Sequence, residues 1–415
     1  MIYGLLGEHL SHSYSPLIHS MLGDYEYRLI EKSPDEVEDF IKNGDFAALN
    51  VTIPYKKTVI PFLDELSDRA QKVGSVNVIV RRKDGTLLGD NSDYEGFASM
   101  IYKSKISIKG KKVLVLGSGG ASMAVKAVLS DMRCKSITVI SRSGEDNYEN
   151  ISRHADADVI VNTTPVGMYP NCDESPVDLS VFTNLSGVLD IIYNPNKTRL
   201  ILDAEEREIP ALGGLRMLVA QAVAANEMFF SKKQDKHVTD TVEKKVSAMM
   251  KNVVLIGMPG CGKSTIGKRI AALTGRPFVD LDAQIVAYAG KTIPEIFAED
   301  GEDEFRRIET HVARQYAKES GLIIACGGGI VTRPENKDIL RKNSTMVFIA
   351  RTLDSLATKG RPLSQTTSPE ALWEKRAPMY KSWSDLKILN TGITPSSLMI
   401  IRTLNLEFKK REEQS

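Results

Sequence analysis

Residues 252–265, NVVLIGMPGCGKST, constrain the fold more than any other stretch of this chain. A short apolar run, as in a strand buried on both faces, breaks into a loop with three glycines and then into a helix-forming sequence. Gly257 to Ser264 satisfy G-x-x-x-x-G-K-[ST], a loop whose amides cradle phosphate where a strand feeds a helix. Lys263 is placed to reach the β- and γ-phosphates of ATP and Ser264 to ligate Mg²⁺, while Gly260 and Gly262 open the backbone. Cys261 fills a variable position and is given no chemistry.

A second glycine loop of different design lies far upstream in residues 111–122, KKVLVLGSGGAS. Residues 111–214 repeat a strand, loop, helix rhythm, with KKVLVLG, SITVISR, ADVIVNTT and GVLDIIY as strands. Such alternation predicts a parallel, doubly wound sheet. The loop Gly117, Gly119, Gly120, Ala121 departs from G-x-G-x-x-G because Ser122 stands in the third glycine's place. The next strand ends in Ser141-Arg142-Ser143, where an acidic residue would hold the ribose hydroxyls of NAD. An arginine with hydroxyl neighbours suits a 2′-phosphate, and so NADP.

With 415 residues the chain exceeds one ordinary core, and two or three domains are expected. Its 54 basic and 53 acidic residues leave a net charge of +1, so neither a nucleic-acid nor a membrane-surface partner is expected. Cys134, Cys172, Cys261 and Cys326 contain no C-x-x-C pair, which fits reduced thiols better than disulfides or a zinc site. No apolar stretch has the length of a membrane span and the start lacks a signal peptide's basic and apolar regions, so a cytoplasmic protein is expected.

Before residue 105, MIYGLLG and FAALNVTI read as strands and SPDEVEDFIKNG as a helix capped by Ser33 and ended by Gly44. SVNVIVRRKDGTLLGDN reads as a hairpin. Residues 229–251 turn polar without Gly or Pro and read as a partly helical connector, with the main boundary near 235–250.

SHSYSPLIHS, NVTIPYK, SVN, GDNSD and GGLRMLVAQA occur in an order that resembles shikimate dehydrogenases over roughly residues 1–230. The resemblance implies reduction of 3-dehydroshikimate to shikimate with NADPH, in a cleft between a substrate domain and a Rossmann domain. Ketone reduction needs a proton donor beside the carbonyl oxygen. Lys56, in the turn after a strand, can project into a cleft, and Asp93 can orient its ammonium. By resemblance Lys56 is the acid/base and Asp93 its partner, with substrate contacts from Ser13, Ser15, Thr52, Asn77, Tyr193 and Gln221. Cofactor-side positions are Gly117, Gly119, Gly120, Ala121, Arg142, Thr164, Ile191 and Gly214, with residues 162–165, 167 and 168 near the nicotinamide. His12 and His19 are expected to be structural. Gly144, Glu145 and Asp146 stand where the family often has a second basic residue, and Asp146 would disfavour a phosphate.

PFVDLD, GEDEFRRIET, CGGGIV, GRPL and RAPMY are similar, in order, to shikimate kinases from residue 252 to about 390. A small acid acceptor calls for Arg forks on its carboxylate and an acidic residue at the attacking hydroxyl. The resemblance assigns the clamp to Arg306 and Arg376, the ring loop to Gly328 and Gly329, and the 3-hydroxyl to Asp282. Asp280 would act through Mg²⁺, Gly257 and Thr265 would complete the nucleotide site, and Arg361 would close on the transferring phosphate. EDEFRRIE also reads as an exposed charged helix face, the alternative for Arg306 and Arg307. RTLDSLATKG is a short lid, and Asp385 and Thr391 keep a trace of the family's ending. The expected fold class is therefore α/β throughout. A substrate domain spans 1–105, completed by about 215–235, a Rossmann NADP domain 106–214, a linker 236–251, and a P-loop kinase domain 252–415. The alternatives are a quinate-preferring first half, or one half kept only as a binding module.

Overall fold

Val113 and Val115 turn to one face of their strand and Leu114 and Leu116 to the other, and the two pairs enter separate hydrophobic clusters. A continuous apolar run requires that double burial, and a parallel sheet covered on both faces supplies it. The computed structural model describes residues 2–10, 13–356 and 368–409. By contact the chain divides into two compact units, Met1–Asn194 with Thr198–Val246, and Pro195–Lys197 with Ser247–Ser415.

The first unit holds two sheets. One is mixed, in the order β2-β1-β3-β5-β6-β4, from β1 (Ile2–Gly7), β2 (Tyr27–Glu31), β3 (Phe46–Val51), β4 (Glu65–Leu66), β5 (Val78–Arg81) and β6 (Leu87–Asp90). β5 and β6 form the antiparallel hairpin, turning through Gly85 at φ +90°. The other sheet is wholly parallel, in the order β11-β10-β9-β7-β8, from β7 (Lys112–Leu116), β8 (Ser136–Ile140), β9 (Val159–Asn162), β10 (Gly187–Asp190) and β11 (Ala211–Leu212). Chain direction across the sheet reverses at β7, so the ends of β7 and β9 open a crevice, where Gly117 and residues 162–164 emerge.

The second unit is one parallel sheet, β13-β14-β12-β15-β16, from β12 (Asn252–Ile256), β13 (Phe278–Asp280), β14 (Ile323–Ala325), β15 (Ser344–Ala350) and β16 (Leu386–Leu389). β12 is central and buried throughout, so the loop that follows it leaves from the middle of the sheet.

One local expectation changes. The helix after Ser33 starts as the 3₁₀ turn Pro34–Glu36, closed by a Ser33–Glu36 capping box, and becomes α-helical over Val37–Asn43. Gly44 ends it with φ −69°, outside the left-handed region, and a Cβ there would lie 2.4 Å from the Phe40 carbonyl oxygen. Close approach, not backbone handedness, calls for glycine. The polar stretch read as a partly helical connector contains the helix Val238–Met250, and the division between units falls inside it. Arg216 donates to Asp240 at 2.7 Å and to Glu243 at 3.0 Å, fixing its first turns to the first unit.

Candidate active sites

In the first unit the turn after β3 carries Lys56, and helix Asp93–Ser104 begins at Asp93. The Lys56 ammonium donates to the Asp93 carboxylate at 2.5 Å, with side chains 17% and 11% exposed. Removing either partner would leave the other charge largely withdrawn from water. Asn77 Oδ1 accepts from the Ser92 amide at 2.7 Å, and the Ser92 hydroxyl donates to Gln221 Oε1 at 3.3 Å. The Ser13 hydroxyl accepts from the Ser15 amide at 3.2 Å, and the neighbouring Tyr14 meets Tyr193 edge-on at 6.1 Å. Burial raises the Tyr193 phenol.

The dinucleotide loop is open where a ligand would need space: a Cβ on Gly119 or Gly120 would meet nothing within 4 Å. Gly117 has φ +97°, and a Cβ there would press on Thr164 at 2.9 Å and Thr163 at 3.0 Å. Helix Gly120–Asp131 aims its first amides at that space, a donor set that fits a pyrophosphate. Ser122, buried, donates to the Gly119 carbonyl at 2.6 Å, so a hydroxyl closes the loop where the third glycine was expected.

The second unit concentrates its polar groups around a cavity of about 520 Å³. Gly260 and Gly262, at φ +85° and +103°, carry the loop into helix Lys263–Thr274. The Lys263 ammonium donates to the Gly257 and Met258 carbonyls at 2.9 Å each, and among the described residues it also meets Cys261 Sγ at 3.9 Å. A phosphate oxygen can take the place of that weak sulfur contact. The Ser264 hydroxyl donates to Asp280 at 2.6 Å, a pair of hard oxygen ligands that fits Mg²⁺. Across the cavity, Arg306 donates to Glu309 at 2.7 Å and Arg376 to the Gly328 carbonyl at 3.2 Å. Asp282 Oδ1 and Glu309 Oε1 both close on Gly327, 2.8 and 2.9 Å from where a Cβ would sit.

Comparison with known proteins follows the same division. The family model for the shikimate dehydrogenase substrate binding domain matches residues 5–79, and that for shikimate kinase matches residues 259–405. A shikimate dehydrogenase (NADP(+)) of Clostridium beijerinckii is 38% identical over 257 residues, covering 57% of this chain and 94% of that protein. The chain belongs to the shikimate dehydrogenase family and carries a shikimate kinase domain. Among solved structures, a chorismate mutase/shikimate 5-dehydrogenase fusion protein from Clostridium acetobutylicum matches at TM-score 0.56 and 38% identity, over 59% of this chain and 96% of that one. A quinate dehydrogenase from Corynebacterium glutamicum in complex with NAD matches at TM-score 0.54 and 27% identity, over 59% of this chain and 97% of that one.

In the dehydrogenase unit Lys56 meets Asp93, Asn77 reaches Gln221 through Ser92, and Ser13 meets Ser15. The Thr52 amide serves the sheet, donating to the Leu6 carbonyl at 2.9 Å. Arg142 is exposed on the loop after β8. Asp146 turns its carboxylate to His154 Nε2 at 2.7 Å, which engages the acidic group expected to oppose a 2′-phosphate. His19 is buried and stacked on Tyr27, with Nδ1 2.5 Å from the Tyr25 hydroxyl; burial drives its pKa down to about 3. That is a packed neutral imidazole. His12 lies outside the described residues.

In the kinase domain the structure separates two neighbouring arginines. The Arg306 side chain is 5% exposed and faces the cavity, whereas that of Arg307 is 63% exposed and pairs with Glu304 on the surface. Asp385 sits at the sheet, accepting from the Met346 amide at 2.8 Å, and Arg361 lies outside the described residues. Two residues escaped the sequence reading. Glu309 is fully buried, with Oε1 lacking a partner among the described residues, and burial raises its pKa against the pull of Arg306. Its spacing three residues after Arg306 on one helix face was an available signal. Asn390 donates to the Cys261 carbonyl at 2.7 Å and so braces the phosphate loop from β16; no local motif marks it.

Proposed function

We propose that this chain catalyses two consecutive reactions: NADPH-dependent reduction of 3-dehydroshikimate to shikimate, then ATP-dependent phosphorylation of shikimate to shikimate 3-phosphate. NADPH, when bound, supplies the hydride. Lys56 gives the substrate's carbonyl oxygen a proton as negative charge develops on it, and Asp93 holds the ammonium in line. Ser13, Ser15, Asn77, Tyr193 and Gln221 offer hydroxyl and amide groups to the ring substituents, and Thr52 adds its hydroxyl. Gly117, Gly119, Gly120 and Ala121 admit the pyrophosphate, Arg142 meets the 2′-phosphate, and Thr164, Ile191 and Gly214 frame the nicotinamide end.

ATP with Mg²⁺ supplies the phosphoryl group. Ser264 and Asp280 would hold the metal, and Gly257, Gly260, Gly262 and Thr265 line the phosphates. Lys263 neutralises charge on the β- and γ-phosphates, Asp282 takes the proton of the attacking 3-hydroxyl, and Arg306 with Arg376 clamps the carboxylate against Gly328 and Gly329. Arg361 is assigned the closing contact on sequence alone. We place the boundary between the two enzymes within the linker expected over residues 236–251.

The observation that carries this reading is a largely buried charge pair in each unit: Lys56–Asp93 at 2.5 Å in one, and Arg306–Glu309 at 2.7 Å, facing Lys263 across one cavity, in the other. No disulfide joins the four cysteines, and no helix among the described residues is long and apolar enough to cross a membrane. Cysteines left as thiols and likeness to shikimate-pathway enzymes support a cytoplasmic location. Purified chain supplied with 3-dehydroshikimate, NADPH, ATP and Mg²⁺ should oxidise NADPH and accumulate shikimate 3-phosphate. NADPH oxidation that stops at shikimate would reduce the kinase domain to a binding module. Parallel kinetics with quinate and NADP⁺ test the other substrate, and a larger kcat/KM for quinate would overturn the assignment.

A further inference from the structure

Asp190 ends β10, is fully buried, and accepts three hydrogen bonds. Oδ1 takes the Asn162 side-chain amide at 3.1 Å and the Ile192 backbone amide at 3.0 Å, and Oδ2 takes the Thr198 hydroxyl at 2.7 Å. Two of these partners lead on to the proposed cofactor pocket. Asn162 Oδ1 accepts from the Thr164 amide at 3.0 Å and hydroxyl at 2.7 Å, and the Thr164 hydroxyl accepts from the Val166 amide at 3.2 Å. The Ile192 carbonyl accepts from the Gly214 amide at 2.8 Å, and a Cβ on Gly214 would lie 1.9 Å from the Ile191 carbonyl oxygen. One carboxylate thus ties together the loop after β9, which carries Thr164, and the segment after β10, which carries Ile191 and Tyr193.

Stability alone gives little reason for such a group. Burial pushes its pKa up to about 7 while the three donors pull it down, so withdrawing the charge from water costs free energy that an amide of the same shape would not incur. The hydrogen bonds do supply register between two loops that leave neighbouring parallel strands. We infer that Asp190 is a positioning residue that fixes the loop after β9 against the segment after β10 and so sets the slot for the nicotinamide end of the dinucleotide. This rests on the dehydrogenase reading above.

The test uses the full chain with Asp190→Ala and Asp190→Asn. Asparagine keeps an oxygen for Asn162 and Ile192 and offers an amide to the Thr198 hydroxyl, so it should preserve the register. Asp190→Ala should weaken NADP⁺ binding, measured by calorimetry without turnover, about tenfold, the scale of a lost charge-assisted hydrogen bond. It should raise KM for NADPH in step while leaving KM for 3-dehydroshikimate within about twofold. Amide exchange at Thr164, Val166 and Ile192 should accelerate, and Asp190→Asn should restore binding and protection. Shikimate phosphorylation by the same samples should be unchanged. If Asp190→Ala fails to fold, Thr198→Val removes the Oδ2 partner together with the cap that the same hydroxyl gives the helix Arg199–Glu206, and Thr198→Ser, which keeps both bonds, serves as its control. Wild-type NADP⁺ affinity and amide protection in Asp190→Ala, or equal impairment of Asp190→Asn, would overturn the inference. A wild-type chain that neither binds NADP⁺ nor oxidises NADPH removes the dehydrogenase reading and the inference together; a working wild type with an unaltered Asp190→Ala removes the inference alone.

Discussion

Gly329→Ala should disable the kinase through one misplaced methyl group. A Cβ at that position would stand 2.2 Å from both terminal nitrogens of Arg306, whereas carbon contacts settle near about 3.5–4.0 Å. The guanidinium must therefore retreat by more than about 1 Å. A long side chain yields easily on a surface, but Arg306 is 5% exposed and bonded to Glu309, which has no exposed surface at all. Retreat breaks that 2.7 Å bond and leaves a buried carboxylate whose other oxygen already lacks a partner among the described residues. Losing a charged hydrogen bond costs about 1.5–3 kcal/mol. In a unit of this size that lowers the melting temperature by roughly 3–12 °C. KM for shikimate should rise at least about tenfold, because the carboxylate clamp is displaced, with a smaller change in KM for ATP. Calorimetry of the full chain and initial rates with each substrate varied give both numbers. Arg307→Ala is the control: its exposed pair with Glu304 is screened by water, so its melting and kinetics should match wild type. A Gly329→Ala protein with wild-type melting and wild-type shikimate KM would refute the packing argument.

Two further expectations concern pH and the phosphate loop. The His19 pKa falls from about 6.5 in an unfolded chain to about 3 in the fold because burial opposes its charge. The unfolded chain therefore binds a proton below about pH 6.5 that the folded state refuses, and the stability due to neutral His19 is lost as pH falls through that window. His19→Gln should remove a slope of about 1.4 kcal/mol per pH unit between about pH 6 and 4 in urea unfolding of the dehydrogenase unit; identical slopes in variant and wild type would contradict this. Asn390→Ala removes the 2.7 Å bond to the Cys261 carbonyl and should raise KM for ATP by about three- to tenfold while sparing KM for shikimate. Equal KM values for ATP would count against a brace at that position.

The parallel sheets were legible because their signal is local. Runs such as Val113–Leu116 and Val253–Ile256 are apolar on both faces, and only a covered central strand accommodates that. The nucleotide loops were legible because their glycines are set by the backbone itself, with Gly260 and Gly262 both at positive φ. What sequence reading missed depends on contacts between distant segments. Glycine is needed at position 329 because of a guanidinium more than one helix away in sequence, and Asn390 matters because β16 ends beside the phosphate loop. Arg306 and Arg307 differ by one position in an evenly charged run, and only packing decides which one faces the cavity. The helix within residues 229–251 was only partly legible because polar composition hides the three side chains, Val242, Val246 and Met250, that it buries.

The central claim is that two complete and separable active sites share this chain, and reciprocal lysine variants test it most directly. Lys56→Ala should slow NADPH oxidation by about 10²–10⁴-fold while the same protein phosphorylates added shikimate at the wild-type rate. Lys263→Ala should abolish phosphorylation and leave 3-dehydroshikimate reduction intact. If either variant, shown to be folded, loses both activities, the two sites are not separable and the account fails.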